Sequence, residues 1–125
     1  MIKIISILSL SILCSTMLIV SCTKGSKDVL GGNVCDTTSV QYAANIVPIL
    51  QENCYRCHGN GNTSGSGGIL LEGYTNLKKW ADNGFLAGNV SHAPGYIGMP
   101  YGQPKLPDCE VNKIVAWVNQ GAKNN

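Results

Sequence analysis

From residue 42 onward the apolar positions come in short periodic groups, separated by stretches rich in glycine, asparagine and serine. Tyr42, Ile46, Ile49 and Leu50 fall at helical spacing and predict a helix that runs into Cys54. Pro48 interrupts that pattern, so the regular helix is expected to begin near it, after a looser turn. Residues 59–68 carry only Gly, Asn, Thr and Ser and read as a mobile loop that need not pack. Ile69, Leu70 and Leu71 make a short apolar patch suited to covering a core or a bound group. Thr75 is placed to cap a short helix over residues 76–81, with Gly84 as its stop. The last helix is expected to start at Pro107-Asp108, with Asp108 as cap. Val111, Ile114, Val115 and Val118 form its apolar stripe, Trp117 lies beside the stripe, and Gly121 ends the helix. Trp80 and Trp117 are both expected in the core. No internal repeat is visible.

The first segment has a different pattern. Lys3 is followed by an apolar stretch over residues 4–20, broken by Ser6, Ser9, Ser11, Ser15 and Thr16. It is marginal for a membrane span and suits an export signal. It ends in Ile19-Val20-Ser21-Cys22, which resembles the lipobox of bacterial lipoproteins, where the cysteine becomes the lipidated N-terminus. The expectation is a signal peptide over residues 1–21 and a flexible tether over residues 22–34 from lipidated Cys22. An uncleaved anchor is the alternative. Either route exports the chain to the cell envelope or periplasm and tethers it to a membrane. A tether of this length reaches about 20 Å. The folded domain is expected over residues 35–125.

Composition narrows what that domain can do. Charged residues make up 13% and the formal net charge is +2, so there is no basic surface to track phosphates and no nucleic-acid partner is expected. One Phe, five Tyr and two Trp beside 15 Gly are a thin supply for a core. Chains of this kind usually need a disulfide, a metal or a cofactor to complete them.

The six cysteines can each be placed. Cys14 leaves with the signal peptide and Cys22 takes the lipid. Cys54 and Cys57 stand in Cys54-Tyr55-Arg56-Cys57-His58. Cys35 and Cys109 remain, and in an oxidising compartment they most simply pair. That bridge closes a loop of about 75 residues, worth ~4 kcal/mol in the chain-entropy model. Two free buried thiols are the alternative.

Three chemistries compete for the central motif. Zinc needs four ligands, adjacent Cys57 and His58 cannot easily close one tetrahedron, and no second pair follows. A redox dithiol needs a βαβ context that the pattern lacks. Cys-x-x-Cys-His in an exported chain reads as covalent attachment of haem c, with Cys54 and Cys57 as thioether tethers, His58 as the near iron ligand, and Tyr55 and Arg56 as exposed spacers. For the second axial position Met99 is the expected ligand. It is the one methionine past residue 22, and Pro100 holds it away from helical geometry. His92 is the rival, and an open iron the third possibility. A Trp indole could bond a haem propionate.

These residues carry a likeness. The stretches "CDTTSVQYAANIVPILQENCYRCHG", "ILLEGYTNLKKWADNG", "HAPGYIGMP" and "KLPDCEVNKIVAWVNQGAKNN" resemble small class I-like bacterial cytochromes c, in particular lipoprotein cytochromes of the Bacteroidetes type. The resemblance implies an all-α, cytochrome c-like fold of a few short helices and long loops around one covalent haem, with one small middle helix. The leading reading of function is single-electron transfer rather than enzymatic turnover, between a donor and an acceptor that are redox proteins, with membrane respiratory enzymes the expected partners. The resemblance itself says less about the partner, because such domains occur alone and fused to many enzymes. Arg56, Lys78, Lys79 and Lys105 either ring the haem edge or are ordinary solvated charges. The competing reading is a haem enzyme, or a gas- or peroxide-binding protein, with an open or His92-ligated sixth position.

Overall fold

A computed structural model describes residues 35–125; the expected signal peptide, Cys22 and the tether lie outside the described residues. Among the described residues the architecture is all-α, with an isolated bridge between Gly59 and Asn62 and no strand. No helix among them is long and apolar enough to cross a membrane.

The chain enters through a π-helical turn, Tyr42–Ile46, and continues as α1, Val47–Asn53, with Pro48 in its first turn. A proline there removes an N–H that has no intrahelical partner anyway. Ile46, Ile49 and Leu50 are buried, as their spacing requires. Cys54 departs from helical geometry (φ −122°, ψ −39°) and separates α1 from α2, Tyr55–His58. The helical bonding nevertheless runs through the break: the Cys54 N–H donates to Leu50 O at 2.8 Å and the His58 N–H to Cys54 O at 2.8 Å.

The loop after His58 stays largely exposed, as expected of a segment that need not pack, but it is folded into defined turns. The Asn62 amide donates to Arg56 O, the Asn60 N–H donates to a Glu72 carboxylate oxygen at 2.6 Å, and Ser66 Oγ bonds Thr63 O at 2.8 Å. The side-chain bonding of Asn and Ser to nearby backbone, invisible in a hydrophobic pattern, does this work.

The middle of the chain holds two helices where one was expected. α3 spans Tyr74–Asp82 and begins one residue before Thr75; Gly73 precedes it and no side chain caps it. Gly84 ends that segment, and with φ 79° it also opens α4, Phe85–Val90. A left-handed residue at this corner turns the chain back sharply, which glycine does without Cβ strain. α4 buries Leu86 and Val90, one turn apart.

α5, Asp108–Asn119, begins where expected, but Asp108 is its first residue and makes no capping bond; its carboxylate pairs instead with Lys105 at 3.0 Å. The buried face is Val111, Ile114 and Trp117, while Val115 and Val118 flank it, half-buried. Trp117 therefore sits in the stripe rather than beside it. It is 1% exposed, its indole N–H donates to Lys123 O at 2.9 Å, and Tyr42 packs on it with ring centroids 5.8 Å apart.

Cys35 and Cys109 form a disulfide with Cα atoms 5.4 Å apart, as the cysteine count anticipated. It joins the segment ahead of the π-helical turn to α5. Gln120 reinforces the same seam, accepting from the Val40 N–H at 3.0 Å and donating to Thr37 O at 2.8 Å. Replacing both cysteines with serine should lower the unfolding free energy by ~4 kcal/mol in the chain-entropy model, read as a shift of the denaturant midpoint under non-reducing conditions.

Candidate functional site

A cleft of about 840 Å³ runs between the α1–α2 segment on one side and the chain from α4 to the start of α5 on the other. That volume lies within the roughly 300–1,000 Å³ of ligand pockets. Its walls are mainly apolar: Ile69, Leu71, Trp80, Leu86, Val90 and Leu106. Leu71, Leu86, Val90 and Leu106 also belong to the buried core, so cleft wall and core share side chains. The patch at residues 69–71 is thus divided, with Ile69 and Leu71 on the cleft and Leu70 outside its lining. Trp80 is half-buried, packed against the core and also lining the cleft, its ring edge-on to Phe85 at 6.2 Å.

Four side chains singled out by sequence meet on this cleft. Cys54, Cys57 and His58 line it from the α1–α2 side, and Met99 lines it from the loop after α4. Both Cys54 and Cys57 are free thiols. Cys54 is the more buried, and burial first, then the charge of Glu110, pushes its thiol up to about 11. It is therefore protonated near neutral pH, the opposite of the low-pKa thiolate that dithiol redox chemistry uses. Glu110 is held beside it by Asn53, whose amide donates to the carboxylate at 3.1 Å. Among the described residues no group of three or more His, Cys, Asp and Glu side chains gathers as a metal centre.

His58 is oriented by a bond at its far nitrogen. Nδ1 lies 2.9 Å from Ile69 O. A carbonyl only accepts, so Nδ1 carries the proton and the neutral ring keeps its lone pair on Nε2. Such an anchor on one ring nitrogen is how proteins fix the tautomer and direction of a ligating histidine. The Leu71 N–H, donating to His58 O at 2.9 Å, ties the same residue to the cleft wall a second time.

Met99 is placed by backbone. Its N–H donates to Asn89 O at 3.0 Å, and its C=O lies 3.1 Å from His92 Nε2. The loop rests on α4 through Tyr96, which covers Gly88 so closely that a Cβ there would overlap its ring. His92, the rival ligand, does not line the cleft; it is an exposed loop residue bonded to backbone. Asn89 does line the cleft, and its Oδ1 is buried without a hydrogen-bond partner.

The expected exposed spacers divide. Arg56 lines the cleft, whereas Tyr55 packs against the core, where burial foremost pushes its hydroxyl up to about 12. Lys105 lines the cleft and pairs with Asp108; Lys78 pairs with Asp82 across one turn of α3, and neither it nor Lys79 reaches the cleft. Asn89, Leu86 and Val90 went unassigned in the sequence. The signal for their helix was two apolar residues four apart after a glycine, too short a run to separate from a loop.

No family model, no curated protein and no solved structure matches this chain.

Proposed function

We propose that the protein is a single-electron carrier with one covalent haem c, a monohaem cytochrome c domain tethered by lipid to a membrane of the cell envelope. One observation carries the reading: a single apolar cleft is lined by both thiols of the Cys54–Cys57 pair, by an imidazole whose free nitrogen is Nε2, and by the thioether of Met99. The donor set suits haem iron, for which a His/Met pair is an established ligation in electron carriers. The walls suit a flat, largely apolar group, and the partnerless Asn89 Oδ1 marks a buried polar position that protein groups leave unsatisfied.

Haem supplies the one-electron couple when bound. Cys54 and Cys57 would hold it through thioether bonds, His58 and Met99 would ligate the iron, and Ile69, Leu71, Leu86 and Val90 would keep water away. Arg56 and Lys105 lie where a partner would approach, but with a net charge of +2 long-range steering is weak and docking is brief. Support for Met99 over His92 as second ligand lies in the cleft lining, which includes the first and not the second.

A pyridine haemochrome assay on protein made with a haem-maturation system tests this directly. A c-type signal is expected, and its absence ends the cytochrome reading. A Met99→Ala variant should keep the covalent haem and lose the weak far-red sulfur-to-iron band of the ferric state. Retention of the band would move the ligand elsewhere, and a high-spin wild-type spectrum would favour an enzyme or gas-binding site.

A further inference from the structure

His92 stands outside the cleft but controls the backbone of the residue that enters it. Its φ is 53°, a left-handed conformation uncommon for any residue with a Cβ. The His92 N–H donates to Asn89 O at 3.2 Å, the same oxygen that receives the Met99 N–H at 3.0 Å. Its Nε2 lies 3.1 Å from Met99 O, and since a carbonyl only accepts, Nε2 is the protonated nitrogen. Both polar backbone groups of Met99 are thus occupied, the N–H by Asn89 and the C=O by His92. The imidazole also lies flat enough against Gly98 that a Cβ there would come within 3.1 Å of it.

A methionine side chain has three rotatable bonds and does not place its own sulfur. Its aim depends on a backbone that does not move. We infer that His92 is a positioning residue that fixes Met99 so that its thioether is held toward the ligand site. The inference rests on the haem c reading. Backbone shape alone does not account for the residue, because glycine takes a left-handed φ with less strain. What glycine lacks is the ring donor to Met99 O. Strain kept by surrounding contacts, at a position that steers a functional side chain, is where a local role is expected.

The test uses the haem-loaded protein and free imidazole as a competitor for the iron, read by loss of the far-red band. In His92→Gly the half-displacing imidazole concentration should fall about tenfold, the equivalent of one net hydrogen bond, while the unfolding midpoint holds or rises. His92→Asn tolerates the left-handed φ and offers an amide donor, so it should recover part of the loss. Gly98→Ala, which pushes the ring away without altering His92, should act in the same direction as His92→Gly. An unchanged half-displacing concentration in both His92→Gly and Gly98→Ala overturns the inference and leaves the cytochrome reading standing. Absence of a c-type haemochrome in the wild type removes both.

Discussion

A chain in which Cys54 and Cys57 are both replaced by alanine, made beside a haem-maturation system, is expected to carry no covalent haem and to lose most of its helical circular dichroism. The reason lies in how the cleft is built. Leu71, Leu86, Val90 and Leu106 are core and cleft wall at once, so with the proposed group gone they border an open, water-filled cleft of about 840 Å³. Apolar side chains left facing water forfeit the burial that the proposed group would give them, and a core this small has little other apolar area to offset that loss. The helices offer no reserve: α1 has 7 residues, α3 has 9, α4 has 6 and α5 has 12. Helices below about 12–15 residues are marginal alone and depend on packing. The disulfide remains in this variant, so the loss is assigned to the cleft. A variant without haemochrome signal that melts like the wild type would show that the polypeptide core suffices, and would remove the structural part of the proposal.

Trp117→Ala is expected to cost about 3–5 kcal/mol, the range for truncating a buried aromatic. With domain stabilities of roughly 5–15 kcal/mol, that is about a fifth of the total or more. The side chain is 1% exposed and packs with Tyr42 beneath the π-helical turn, and its N–H satisfies Lys123 O. Truncation therefore opens a cavity and removes the hydrogen bond to Lys123 O in one step. Urea denaturation of the loaded protein measures it, and a loss below about 1 kcal/mol would contradict a central place for this ring. Trp80→Ala serves as contrast: a half-buried cleft residue, its removal should fall on the cleft more than on the core.

The strongest periodicities were legible. Ile46, Ile49 and Leu50 point inward as their spacing requires, and Pro48 starts the regular helix. The phase of α5 was less so. Val115 and Val118 fit the apolar template as well as Trp117 does, and only packing against Tyr42 decides that the indole takes the centre. Thr75 and Asp108 are favoured capping types, yet one sits inside α3 and the other faces Lys105. A cap depends on where the preceding residue turns, and Gly73 and Pro107 set that turn. α4 escaped because a helix of this length buries only two apolar residues, Leu86 and Val90, and has no side-chain cap.

At the candidate site the chemistry-bearing residues were readable, because Cys54, Cys57, His58 and Met99 are rare types in telling neighbourhoods. Their supports were not. The Ile69 carbonyl that orients His58 and the Asn89 carbonyl that receives Met99 are backbone groups every residue has. Only folded geometry selects them. By residue type His92 is the rival ligand, but a loop residue bonded to backbone or solvent is the favoured reading, and its bond to the Met99 carbonyl agrees with that.

The seam between the segment at residues 35–43 and α5 has a mechanical consequence. A pull on the chain ahead of Cys35 meets the covalent bond to Cys109 first and is passed into α5. Beyond it, Gln120 grips Thr37 and Val40, and Asn125 holds the N–H groups of Tyr42 and Ala43 at 2.9 and 3.0 Å. These bonds lie ahead of α1, so the load is shed before it reaches Cys54. A domain towed from that end would be held by this seam, with the load entering at Cys109, close to Leu106 and Pro107 on the cleft wall.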